Sequence, residues 1–88
     1  MKIYAVRNKR VGSFELPNFS DSDQKSFAFQ LQKQIILDPE GAKKVHLDEC
    51  ELFCLGDYDQ EKGKLMPSGE PEFLLDLGDI YERRIKEN

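Results

Sequence analysis

Hydrophobic and polar positions change rhythm several times along the 88 residues of this chain. In Lys2-Ile3-Tyr4-Ala5-Val6-Arg7, Tyr4 and Val6 alternate with Ile3 and Ala5, and the β-branched and aromatic content predicts an inner or well-paired strand. From Val11 to Phe19 the alternation loosens, and Pro17 reduces that stretch to a short edge segment or an ordered loop. Phe27, Leu31 and Ile35 then recur every four residues, widened by Ala28 and Ile36, with Lys25, Gln30, Lys33 and Gln34 on the polar side. That spacing predicts a helix over about residues 21–37. Ser20, Asp21 and Ser22 offer N-caps, Asp21 and Gln24 have capping-box spacing, and Pro39 ends the helix. Its apolar stripe reads as core rather than as a ligand box. Residues 38–48 read as a loop with room for one helical turn.

The stretch from Cys50 to Leu65 organises the rest. Cys50, Leu52, Cys54 and Tyr58 would line one face of a strand, and Phe53 and Leu55 the middle of the other, as in a central strand. A type I turn over Asp59 to Lys62, with Gly63 in the left-handed region, closes a hairpin onto Leu65-Met66, which stops at Pro67. Pro67 to Pro71 forms a turn cluster and Phe73-Leu74-Leu75 a short strand. The end of the chain is either a short helix capped by Asp79 or a mobile charged tail. The expected fold is α+β in a single domain over residues 1–88: a small, mostly antiparallel sheet with one main helix packed on one face, and the N-terminal strand beside the 50–58 strand.

Composition narrows the function. With 39% hydrophobic and 34% charged residues the chain falls in the globular range rather than the disordered one. No apolar run approaches the ~20 residues of a membrane span, and the N-terminus lacks a signal-peptide core, so no membrane partner is expected and the compartment is a cytoplasm. Cys50 and Cys54 in one strand would stand roughly 13 Å apart, too far for a disulfide. His46 with these two cysteines lacks a fourth zinc ligand, so buried free thiols are expected and no metal. An EF-hand loop starting at Asp57 would have Lys62 where glycine is needed and Ser68 where a bidentate acid is needed, so a solvated hairpin tip accounts for those acids. No phosphate-binding glycine loop occurs, and the lone His46 reads as a surface or packing residue. The expectation is a non-enzyme with no cofactor.

Charge is unevenly spread. Residues 1–47 carry eight Lys or Arg against five acids, residues 48–82 two Lys against eleven acids, and the last six residues are basic again. The net charge of −4 argues against a general nucleic-acid coat, whereas segregation leaves room for a local basic surface. Arg7, Lys9 and Arg10 cluster at one strand end, and Tyr4, Phe14 or Phe19 could stand nearby; phosphates would follow the cations while bases stack on rings. The residues alone favour the plainer reading, in which the rings are core and the cations merely solubilise a turn. Lys43-Lys44 and Arg83-Arg84 are weaker patches of the same kind.

The order of these features resembles the small nonstructural protein of gokushovirus-type microviruses, phages with single-stranded DNA genomes. The resemblance runs through Lys2-Ile3-Tyr4-Ala5-Val6, Leu16-Pro17-x-Phe19, Phe27 and Asp38-Pro39-Glu40. It continues in Asp48-x-x-x-Leu52-Phe53-x-Leu55-Gly56-x-Tyr58-Asp59-x-x-x-Gly63-Lys64 and Pro71-x-x-Leu74, covering about residues 1–78. The Leu-Phe-x-Leu-Gly-x-Tyr-Asp block is its most specific part, and Tyr81 to Asn88 inherit nothing from it. It implies a protein made in the cytoplasm of an infected bacterial host, minor or absent in the capsid, and linked to single-stranded genome synthesis or packaging. No binding motif transfers residue by residue, so the candidate nucleic-acid-binding residues Tyr4, Arg7, Lys9, Arg10, Lys43 and Lys44 rest on charge alone.

The resulting expectation is a non-enzymatic phage accessory protein that binds single-stranded DNA, with a homodimer joining small patches for avidity. The alternative is a protein-interaction module, a capsid-assembly, scaffold-like or host-directed adaptor using the acidic 48–61 surface, or, less simply, an acidic decoy. DNA binding requires the cations of the leading half to gather into one surface. Cations scattered or tied to carboxylates would favour the adaptor.

Overall fold

The N-terminal alternation becomes strand β1, Lys2–Asn8, the second strand in from one edge of a curled, five-stranded antiparallel sheet. A computed structural model describes residues 1–83. The loose Val11–Phe19 stretch supplies two short strands, β2 at Ser13–Phe14 and β3 at Asn18–Ser20, which pair with successive parts of the same β1 edge on either side of Pro17. The other edge of β1 pairs with β4, Cys50–Asp59, as its apolar content predicts. β4 in turn pairs with β5, Lys64–Asp76. The connecting turn is the expected one: Asp59 accepts from the Glu61 and Lys62 N–H groups, and Gly63 sits at φ +62°.

Helix α1 spans Gln24–Leu37. Its N-cap is Asp23, whose carboxylate accepts from the Ser26 N–H at 2.8 Å, rather than any of the expected Ser20, Asp21 and Ser22. The helix packs Phe27, Ala28 and Leu31 onto Tyr4, Val6, Leu52 and Cys54, so it covers one face of the sheet. Ile36 does not widen that stripe as expected; one position past the buried Ile35, it turns outward into solvent. Asp38 caps a second helix, α2 (Pro39–Lys44), through the Gly41 N–H, where a loop with a single turn was expected. A turn of 3-10 helix, Leu47–Glu49, leads into β4.

Three irregularities reshape the hairpin, one of them an extra residue, Leu74, between Leu52↔Leu75 and Phe53↔Phe73. Opposite β1, the register runs from Tyr4↔Cys54 to Ile3↔Gly56 and leaves Leu55 as a bulge. The predicted Pro67–Pro71 turn cluster lies inside β5, which steps from Gly56↔Pro67 to Cys54↔Glu72 and so loops outward between them. The chain then enters α3, Leu77–Tyr81, capped by Asp76 rather than by Asp79. Of the two readings of the tail, the start of the short helix is seen, and residues 84–88 lie outside the described part. Leu77 and Ile80 close the second half of the core with Ile35, Ala42, Leu47 and Cys50. Both cysteines are free and buried, and burial pushes the Cys50 thiol up to about 11.

Candidate nucleic-acid interface

The end of β1 does bring Arg7, Lys9 and Arg10 together. Asn8 is the reason: its buried side-chain carbonyl accepts from the Arg10 and Val11 N–H groups and folds the chain back on itself. The start of β4 and the start of α3 meet the same corner, and they are acidic. The Arg7 guanidinium lies 3.8 Å from Glu51, its direct partner in the β1–β4 register. Arg10 lies 3.6 Å from Glu49, which also stands 3.8 Å from His46. Lys9 reaches both carboxylate oxygens of Asp76 at 2.9 Å, and that bond raises the ammonium above its ordinary value. At the other end of β1, Lys2 pairs with Asp57 at 3.1 Å. All four β1-region cations are therefore matched by acids of the negative middle, and their combined field on a phosphate is small.

Tyr4 is 1% exposed and offers no surface for a base. Its ring stacks on Phe27 with centroids 4.0 Å apart, and its hydroxyl donates to the Ser22 carbonyl at 2.7 Å. Of the two readings of this tyrosine, the structure places it in the core. Phe14 and Phe19 are different: both are more than 40% exposed, on the sheet face turned away from α1.

Lys43 and Lys44 occupy the last turn of α2, exposed, with no ion-pair partner among the described residues. They lie in the helical layer, Lys44 two residues before His46, which stands 3.8 Å from the Glu49 carboxylate that pairs with Arg10. The same layer carries a row in which two members, Lys25 and Lys33, belong to the predicted polar side of the helix and the third does not. Lys25, Phe29 and Lys33 recur at four-residue spacing along α1 and line one shallow depression with Ser26 and Gln30. Phe29 is 63% exposed, and neither lysine makes an ion pair among the described residues. At 1.5 Å per residue the cations stand about 12 Å apart, with the ring midway. The clue in the sequence was Phe29 itself, an apolar residue off the Phe27–Leu31–Ile35 stripe.

Compared with models of protein families, with curated protein sequences and with solved structures, the chain matches none. No helix among the described residues is long and apolar enough to cross a membrane.

Proposed function

We propose that this protein is a non-enzymatic accessory protein of a single-stranded DNA phage and that it engages single-stranded DNA through its helical layer. The observation that carries this reading is the Lys25–Phe29–Lys33 row: an exposed ring between two cations that form no ion pair among the described residues, with Asp23 the acid whose charge Lys25 feels. Bases stack on the ring irrespective of their identity, and the flanking ammonium groups hold the backbone, giving weak sequence selectivity and strong salt dependence. Lys43 and Lys44 add charge on the following helix. The Arg7 corner contributes little, because Glu49, Glu51 and Asp76 already occupy its cations.

Titration with a fluorescently labelled single-stranded oligonucleotide at two salt concentrations tests this. Binding should weaken steeply with salt, and the double variant K25E/K33E should abolish it at the higher concentration. Phe29→Ala should weaken binding by about tenfold, the equivalent of one lost stacking contact. Substituting Arg7, Lys9 and Arg10 by Ala should leave affinity within a factor of about two or three, as expected for cations already paired. No binding at low salt would overturn the proposal. The second reading, an adaptor that touches only protein, is favoured by the pairing of Arg7, Lys9 and Arg10 with carboxylates and by the half-exposed aromatic rings on the far side of the sheet. Co-purification of a stoichiometric protein partner together with that negative titration would select it.

A further inference from the structure

The sheet face turned away from the helices carries five aromatic side chains drawn from four strands. Phe53 points opposite to Leu52 and Cys54, which pack under α1, and its ring meets Phe14 at 5.2 Å and Phe73 at 5.7 Å, both edge to face. Phe14 and Phe53 can touch across β1 because the residue between them, directly opposite Phe53, is Ala5. Phe19 and Tyr58 make a second edge-to-face pair at 5.2 Å, also across β1. The Leu55 bulge creates this pair, since it turns Tyr58 away from the face of Leu52 and Cys54. Phe14, Phe19 and Phe73 remain about half exposed, and no helix among the described residues packs on this side.

We infer that this face is the contact surface for a second copy of the chain, two sheets packing aromatic face to aromatic face about a twofold axis. Three features select that occupant. Half-exposed Phe14, Phe19 and Phe73, with Leu65 beside Tyr58, present on the order of 400 Å² of apolar surface, a patch of the size that commonly serves as a contact and about half of what a standard interface buries per partner. Next, the face is electrically matched: Arg7 stands against Glu51 in the register, so an identical face meets no repulsion, whereas a polyanion finds no unpaired cation there among the described residues. Finally, the sheet edges do not invite strand addition. One edge is the pair of short strands flanking Pro17, and the other carries Pro67, Pro71 and an outward loop. Association is thereby directed to the face. Packing two such faces at the usual separation of about 10 Å leaves α1 of each copy outermost, with its Phe29 row free.

Sedimentation equilibrium of the full chain without nucleic acid tests this apart from any DNA reading. The wild-type chain should be a dimer at micromolar concentration. Phe73→Glu should raise the dimer dissociation constant at least about thirtyfold, as for loss of an aromatic hot spot. Phe29→Glu, on the opposite side of the molecule, should leave it unchanged. Circular dichroism checks that each variant folds; if Phe73→Glu does not, the milder Phe14→Ser is read the same way. A monomeric wild-type chain overturns the inference, as does a dimer indifferent to both sheet-face variants. A monomer whose oligonucleotide affinity falls with Phe73→Glu also overturns it and gives the face to nucleic-acid bases instead.

Discussion

The ammonium group of Lys9 lies 2.9 Å from both carboxylate oxygens of Asp76, joining the turn after β1 to the start of α3 across 67 residues of sequence. Asp76 does two jobs there. It holds Lys9, and it accepts from the Gly78 and Asp79 N–H groups as the N-cap of α3. Burial by itself would raise its carboxyl; the Lys9 bond and the two N–H groups outweigh that and leave it below its ordinary value.

A carboxyl lowered on folding contributes stability above its unfolded value of about 3.9 and loses it as the pH falls through the lower folded value. Acid melting of the wild type should therefore include a component below about pH 4 that is absent in Asp76→Asn. The Lys9 ammonium is raised, so the opposite sign applies: its share is present below about pH 10 and lost as the pH climbs through the higher folded value. At neutral pH, Asp76→Ala should destabilise the chain by about 1–2 kcal/mol through loss of cap and pair, with Asp76→Asn less affected because Asn still caps. Denaturant melts of both variants between pH 2 and pH 7, roughly the range over which a lowered carboxyl titrates, check this.

Tyr4 makes a different prediction because its hydroxyl is sequestered. Burial, aided by nearby acidic groups, pushes the phenol up to about 12. A phenol raised on folding adds stability below its unfolded value of about 10, and that stability fades as the pH rises toward 12. Tyr4→Phe should remove this alkaline component and cost about 1 kcal/mol at neutral pH, since the Ser22 carbonyl loses its donor. Tyr4→Ala, which also removes the Phe27 stack, should cost about 3–5 kcal/mol and leave little folded protein. Difference titration of tyrosinate absorbance between wild type and Tyr4→Phe, with melts at matched pH, separates the two effects.

Gly56 and Gly69 both have positive φ, at +139° and +88°, but differ in their surroundings. A Cβ on Gly56 would collide with the backbone of Met66, Pro67 and Ser68, whereas one on Gly69 meets nothing within 4 Å. Gly69→Ala should therefore cost about 1 kcal/mol of backbone strain, and Gly56→Ala clearly more, about 3 kcal/mol, because β5 must move off the bulge. Thermal melts of the two variants measure the difference. If Gly56→Ala proves as mild as Gly69→Ala, the close approach of β4 and β5 at the bulge is not what holds the hairpin.

Local pattern was enough for the sheet-and-helix architecture. The Phe27–Leu31–Ile35 repeat and the Asp59–Gly63 turn are short-range signals, and each produced its element, while the apolar content of β1 and β4, each read locally, matched two strands that lie far apart in the chain. The basic corner at Arg7, Lys9 and Arg10 was also legible as a cluster, because a turn after a strand keeps its neighbours together. Its neutralisation was not, since Glu49, Glu51 and Asp76 arrive from β4 and α3, more than 35 residues away in the chain.

Faces were harder to read than elements. Alternation assigns Tyr58 to the side of Leu52 and Cys54, but a single bulged residue, Leu55, reverses every later side chain of β4 and sends Tyr58 to Phe19. Likewise, the sequence admits Tyr4 both as core, the favoured reading, and as a surface for bases, and α1 decides by laying Phe27 across it. What the amino-acid order determined by itself was therefore the set of elements and their apolar content, because propensity and periodicity act between near neighbours. Which charges cancel, which rings are covered and which face stays open were decided only when distant segments packed, because a Coulomb pair or a buried ring depends on separation in space rather than along the chain.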